Sequence, residues 1–334
     1  MSDASVVVTR DGRIGRLTLN RPKALNALDH DMIDALSAAL ELWRDDAQVA
    51  AVVIDSASDR AFCAGGDVRA IRSHALAGET GEVERFFARE YALNQAIASY
   101  PKPYVALVDG ICMGGGIGVS VHGKVRVATQ HAVFAMPETA IGMFPDIGAT
   151  YLLPRLAGAL GVFLGLTGTR VVGEDAVHAG LATHFVPRAD LGALRAALPL
   201  LGASAVGKHA RPLPPFTLEP HLAAIDRCFA APDVIGILQL LEREGTDWAR
   251  ATTATLRGMS PSALCWSLAA IRRGAGLSLA EALAVELRLT RQVTRHPDFA
   301  EGIRAMVVDK DRQPRWSPPT IEQVDPAAIA AMLS

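Results

Sequence analysis

The chain has 334 residues, half of them hydrophobic, and a positive mean hydropathy, enough to bury the core of one large or two ordinary domains. Its 33 basic and 35 acidic residues leave a net charge of −2, which gives no electrostatic reason to bind bulk nucleic acid or a membrane surface. Cys63, Cys112, Cys228 and Cys265 are widely spaced among apolar neighbours without a CxxC pair, and so read as reduced core thiols, neither disulfides nor zinc ligands.

The N-terminal stretch MSDASVVVTRDG lacks a basic region and an apolar one, and no run of about 18 apolar residues follows anywhere, so a cytoplasmic location is expected. Val6 to Thr9 and Ile14 to Leu19 flank Asp11-Gly12, which predicts an opening hairpin. Met32, Leu36, Leu40 and Trp43 then recur at helical spacing behind the candidate caps Asp29 and Asp31, and Ala50 to Ile54 is a short buried strand. Gly78 to Gly81 reads as a mobile loop, and Val83 to Ile97 as an amphipathic helix.

Two segments repeat one pattern. Ala51 to Ile71 and Tyr104 to His122 each run from a strand through glycines into a helix, with Ala64-Gly65-Gly66-Asp67 and Met113-Gly114-Gly115-Gly116 at the turns. Glycine lets a ligand approach the backbone, and the amides of a first helical turn lack internal partners, so each turn can hold developing negative charge. Two such turns brought together supply both donors of an oxyanion hole. After β-prone runs at Val125 to Val127 and Val133 to Met136 come Pro137-Glu138 and, eight positions after Glu138, Asp146, two carboxylates in apolar, loop-like surroundings.

Beyond Tyr151 the pattern is mostly helical: 152–166, 174–180, a short strand at 183–186, and 191–201. Gly202 to Pro215 is rich in Gly, Ser and Pro, which gives a division into a catalytic core at 1–201, a linker at 202–216 and a helical region at 217–334, with four or five helices before a Pro-containing tail.

NRPKALNAL at Asn20 to Leu28, AFCAGGD at Ala61 to Asp67 and the MGGG turn resemble the crotonase, or enoyl-CoA hydratase/isomerase, superfamily. FFAREYALN at Phe86 to Asn94, GGGIGVSVHGKVRVAT at Gly114 to Thr129, FAMPETAIGMFPDIGATYLLPRL at Phe134 to Leu156 and VVDKDRQPRW at Val307 to Trp316 are similar to its 3-hydroxyisobutyryl-CoA hydrolases. The resemblance implies an α/β fold, a spiral core of repeated ββα units with two steeply crossed sheets and a helical C-terminal region. It implies a CoA thioester ligand, its carbonyl held by the backbone amides of Ala64 and Gly115, with Gly65, Gly66, Asp67 and Gly114 lining the same turns. Lys23, Ala24 and Leu25 would lie by the adenine and pantetheine end. Glu90, Glu138 and Asp146 would stand at the acyl end, Glu138 and Asp146 as catalytic groups and Glu90 on the substrate hydroxyl.

One departure separates this chain from a hydratase. The carboxylate expected two residues after the glycine run is replaced by Gly118, while Asp146 stands where a hydratase usually has glycine. Taken alone, Glu138 reads as a helix N-terminal charge, Asp146 as a turn residue and Glu90 as a solvated helix-face charge. The expected function is a thioesterase acting on 3-hydroxyisobutyryl-CoA, with an enoyl-CoA hydratase or isomerase, and further off a non-catalytic CoA- or RNA-binding scaffold, as alternatives. No metal or redox cofactor is implied; coenzyme A enters with the substrate. A homo-oligomer, trimer or hexamer, is the expected assembly, with no nucleic-acid or membrane partner.

Overall fold

The computed structural model describes residues 4–333; the first three residues of the N-terminal stretch and Ser334 lie outside them. The opening hairpin is β1 (Val6–Asp11) and β2 (Ile14–Leu19), paired antiparallel. In α1 (His30–Arg44), Asp29 caps the helix by accepting the Met32 amide at 2.9 Å, and the stripe of Met32, Leu36, Leu40 and Trp43 is buried as its spacing requires. Then come β3 (Ala51–Ser56), β4 (Ala61–Cys63), α2 (Val68–Leu76) and α3 (Thr80–Ala98). The loop expected at 78–81 is instead a tight turn: Gly78, at φ +74°, reverses the chain, and Gly81 already belongs to α3.

The strand, turn and helix pattern recurs in β5 (Tyr104–Val108), β6 (Ile111–Met113) and α4 (Gly115–Val121), followed by β7 (Val125–Ala128) and β8 (Val133–Ala135). The helix expected over 152–166 is broken. α5 (Ala149–Leu152) ends near Pro154, Gly158 turns at φ +55°, and α6 (Leu160–Thr167) starts afresh. Next are β9 (Val171–Val172), α7 (Asp175–His178), β10 (His184–Phe185), α8 (Leu191–Leu201) and α9 (Ala205–His209). The C-terminal part holds α10 (Leu222–Phe229), α11 (Val234–Glu244), α12 (Asp247–Gly258), α13 (Pro261–Gly274), α14 (Leu279–Val293), α15 (Pro297–Ile303) and α16 (Pro326–Met332), more helices than the sequence suggested.

These elements form two compact units that alternate along the chain. The first runs to Asp67 and takes in Arg89–Ala135 and Arg170–Phe216; the second takes Val68–Ala88, Met136–Thr169 and the chain from Thr217. Stretch 202–216 thus belongs with the first unit, where Ala205 and Val206 join its core.

The first unit is built on two sheets, ordered β1-β2-β3-β5-β7-β10 and β4-β6-β8-β9. The successive pairs β3/β4, β5/β6 and β7/β8 each put one strand in each sheet, so the chain spirals, and β4, β6 and β8 lie parallel with their C-terminal ends together. Ile14, Val53, Val105, Leu107 and Val127 pack under Leu191, Leu194 and Leu198. That contact accounts for the apolar face of 188–209, the one described helical stretch long and apolar enough to cross a membrane. Space is tight between α4 and β4. A Cβ at Gly116 would lie 2.2 Å from the Cys63 carbonyl oxygen, a backbone atom that cannot swing away.

The second unit is helical around Trp266 and Ile271, both fully buried on α13. Asp298 ties three segments of it. Its carboxylate accepts the Ser260 hydroxyl at 2.6 Å and the Ser317 amide at 2.7 Å, while a Cβ at Gly142 would lie 2.3 Å from its carbonyl oxygen.

Gly116→Ala is expected to destabilise the protein by about 3 kcal/mol, at the upper end of ordinary overpacking. A lower denaturant midpoint at constant m value is the signature; an unchanged midpoint would mean that α4 can retreat from β4.

Candidate active site

In the first unit, the turn after β4 runs beside segment 21–28. The Ala64 amide donates to Leu25 O (3.0 Å), the Leu28 amide to Gly65 O (2.8 Å) and the Asp67 amide to Leu28 O (2.8 Å). Leu25 and Asn26 adopt left-handed backbone conformations at φ 51° and 56°, which side chains other than glycine rarely take. Asn26 holds this shape. Its side-chain oxygen accepts the Arg21 amide at 2.7 Å, and its NH2 group donates to Ser56 Oγ at 2.8 Å and Phe62 O at 2.9 Å. Arg21 pairs with Asp67 at 3.0 Å. Leu25 is therefore held beside Ala64, and Gly65 and Asp67 beside Leu28, while Lys23 is exposed.

The turn after β6 completes the arrangement. Gly114 caps α4 at φ 45° and ψ −122°, and a Cβ on Gly115 would lie 2.3 Å from Glu90 Oε1, 3.1 Å from Leu28 Cδ1 and 3.2 Å from the Gly66 nitrogen. Glu90, Gly66 and Gly115 thus converge where no side chain fits. Glu90, at 2% exposure, is no solvated helix-face charge. Burial above all, with a smaller push from the Glu90 charge, raises the Cys63 thiol to about 12, so Cys63 is a core thiol and not a nucleophile.

The structure corrects one assignment. Ala64 cannot offer its amide to a ligand, because that N–H is committed to Leu25 O. Because Leu28 engages Gly65 O and Asp67 N–H, the intervening Gly66 amide points to the other side; it donates to no backbone carbonyl among the described residues and sits beside Gly115. The Gly115 amide opens α4 and has no acceptor within that helix. Gly66 and Gly115 are the pair this geometry offers. Gly118 is buried inside α4 and brings no carboxylate.

In the second unit, Glu138 opens a 3₁₀ turn, Glu138–Ile141, and is 6% exposed. That turn is fixed on several sides: Thr139 Oγ1 donates to Leu166 O at 3.0 Å, the Ser260 amide donates to Thr139 O at 3.2 Å, and the Trp266 indole donates to Met143 O at 3.2 Å. Asp146, also 6% exposed, precedes Ile147 at φ 57° and Gly148 at φ 82°, two successive left-handed residues. The sequence reading missed Glu286 of α14, which is fully buried. Its Oε2 accepts the Gly148 amide at 2.7 Å, and its Oε1 accepts the Thr150 amide at 3.0 Å and the Thr150 hydroxyl at 2.5 Å. A signal existed: Glu286 falls on the apolar stripe of Ala282, Leu289 and Val293, where a charge has no place unless it is partnered.

A family model described as enoyl-CoA hydratase/isomerase matches residues 14–333. The mitochondrial 3-hydroxyisobutyryl-CoA hydrolase of Danio rerio is 44% identical over 335 residues, spanning 96% of this chain and 87% of its own. The enzyme of that name from Homo sapiens is 43% identical over 331 residues, with 96% and 86% covered. Among solved structures, a carnitinyl-CoA dehydratase from Mycobacterium thermoresistibile superimposes with a TM-score of 0.95 at 40% identity, covering 99% of this chain and 97% of its own. An enoyl-CoA hydratase from Rhodobacter sphaeroides 2.4.1 gives 0.93 at 41%, with the same coverage.

Burial, reinforced by the nearby Asp146 charge and opposed by the Thr150 hydrogen bond, pushes the Glu286 carboxyl from 4.5 up to about 8. A raised folded-state value means that its contribution to stability is complete below about 4.5 and is lost as pH climbs through about 8. The unfolding free energy of the wild type, minus that of Glu286→Gln, should therefore decline across this window in pH-dependent denaturation; a flat difference would show that Glu286 stays ionised in the folded chain.

Proposed function

Since this chain belongs to the enoyl-CoA hydratase/isomerase family, we propose that it is a thioesterase that hydrolyses 3-hydroxyisobutyryl-CoA to 3-hydroxyisobutyrate and coenzyme A. The relatives of that name, alike over nearly the whole length, support the substrate. Gly118 carries the choice of reaction: placing water across a C=C bond calls for a carboxylate at that position, and thioester hydrolysis does not.

Hydrolysis needs donors for the tetrahedral oxyanion and an oxygen nucleophile. In this reading the donors are the amides of Gly66 and Gly115, and the carboxylates are Glu90, Glu138 and Asp146. Either Glu138 takes a proton from water as the water oxygen forms the new C–O bond at the carbonyl, and passes that proton to the thiolate when collapse of the intermediate breaks the C–S bond; or the Glu138 carboxylate forms the C–O bond itself, the thiolate leaves and takes a proton from water, and that water's oxygen then cleaves the mixed anhydride to release the acid and free Glu138. Asp146 orients the acyl group or the water, and Glu90, buried beside Gly115, accepts a hydrogen bond from the substrate 3-hydroxyl. The chemistry calls for no metal or redox cofactor. A homo-oligomer located in the cytoplasm belongs to the same reading.

Glu138→Gln should lower kcat for thiol release from 3-hydroxyisobutyryl-CoA by about a hundred- to ten-thousandfold, the usual contribution of such a group. Crotonyl-CoA hydration, followed in parallel, should be negligible for both proteins; hydration without thiol release would make this a hydratase that works without a carboxylate at 118. Replacing the backbone amide of Gly66 by an ester deletes one donor alone and should cost about a hundred- to a thousandfold in kcat. The same replacement at Ala64 should lower stability and spare kcat; the reverse pattern would restore Ala64 as the donor.

A further inference from the structure

Glu286 has no part in the reaction just described, yet it sits where the turn bearing Asp146 is decided. The turn Pro145-Asp146-Ile147-Gly148 passes through two left-handed residues. Ile147 is β-branched, so its conformation is unfavourable and persists only where surrounding contacts impose it. Within the turn, the Ala149 amide donates to the Asp146 carbonyl at 2.8 Å. The amides of Gly148 and Thr150, on either side, both turn to one carboxylate, Glu286, which also takes the Thr150 hydroxyl. α14 holds that carboxylate in place, anchored at its start by the Ser278 and Glu281 capping box. α5, which follows the turn, packs closely on α13: a Cβ on Gly274 would lie 1.7 Å from the Thr150 carbonyl. The turn is therefore held by Glu286 at the Gly148 and Thr150 amides, and the helix that follows it is held by α13.

We propose that Glu286 is the positioning residue of Asp146: by accepting the Gly148 and Thr150 amides, it holds the 145–148 turn in the one conformation that presents the Asp146 carboxylate to the acyl group. The inference rests on Asp146 acting in the hydrolysis. Glu286 itself touches no substrate. A glutamine at 286 keeps size and shape but has a single acceptor oxygen, so one of the two turn amides loses its partner and faces an NH2 group. The burial of Glu286 also makes its proton state sensitive to the Asp146 charge, which couples the two residues electrostatically as well as through the turn.

A double-mutant cycle on the full-length protein tests this, with kcat and KM for thiol release from 3-hydroxyisobutyryl-CoA as the readout. Glu286→Gln should lower kcat about ten- to a hundredfold, in keeping with small displacements of a reacting group, while KM changes by less than about threefold. In an Asp146→Asn background the same change should cost less than about threefold, because the group it positions is already disabled. Thr150→Val removes one hydroxyl donor without touching a carboxylate; it should give a smaller kcat loss that likewise disappears in the Asp146→Asn background, and it carries the test if the glutamine variant does not fold. Equal losses in both backgrounds, or no loss in the single variants, would overturn the positioning role. Wild-type kcat in Asp146→Asn alone would instead remove Asp146 from the reaction and Glu286 with it, an outcome read before any Glu286 variant is made.

Discussion

How near α4 can come to β4 determines what the first unit presents. The Gly116 position leaves no room for a methyl group against the Cys63 carbonyl, and Gly115 leaves none against Glu90 and the Gly66 nitrogen. Two amides reach the same place only because two side chains are missing. Any larger residue would separate the turns and break the pairing of their donors, so the glycines act through the space they leave more than through their flexibility. The parallel alignment of β4 and β6 brings the two turns to one end of the sheet in the first place.

Amide donors stabilise charge best where water is excluded, and the cost of excluding water appears in the carboxylates. Glu90, Glu138, Asp146 and Glu286 are all at least nine-tenths buried. A carboxyl group in such surroundings is tolerable only with hydrogen-bond partners fixed around it. Glu286 shows how the fold meets this requirement: a strained turn has two amides to satisfy, and a buried carboxylate needs donors. Each solves the other's problem. Asp298 plays the same part for the 3₁₀ turn that begins at Glu138, binding the Ser260 hydroxyl and the Ser317 amide while its own backbone packs on Gly142. The C-terminal helices thus act as a rigid support for the short, irregular segments that bear Glu138 and Asp146, and the tail around Ser317 is part of that support.

The order of strands and helices was legible in the sequence because local periodicity and turn residues produce it. The hairpin at Asp11-Gly12, the stripe of α1 and both strand-turn-helix units appear where the pattern puts them. The break between α5 and α6 was missed because an apolar run looks helical until Pro154 and Gly158 are given their weight. Glu90, Glu138 and Asp146 stood out through motifs, although nothing in their own spacing distinguished them from ordinary charges.

What the sequence by itself determined, then, is the inventory: which turns carry glycine, which carboxylates stand near them, and that position 118 has no acid. Tertiary structure alone decided which amide is free. Ala64 and Gly66 lie two residues apart on one motif, and only the pairing with Leu25 and Leu28, from a segment about forty positions earlier, commits the first and releases the second. It also decided the partner of the Asp146 turn, Glu286, 140 residues further along the chain. The physical reason is common to both: a hydrogen bond between distant segments depends on where packing brings their backbones, and local sequence does not encode that distance.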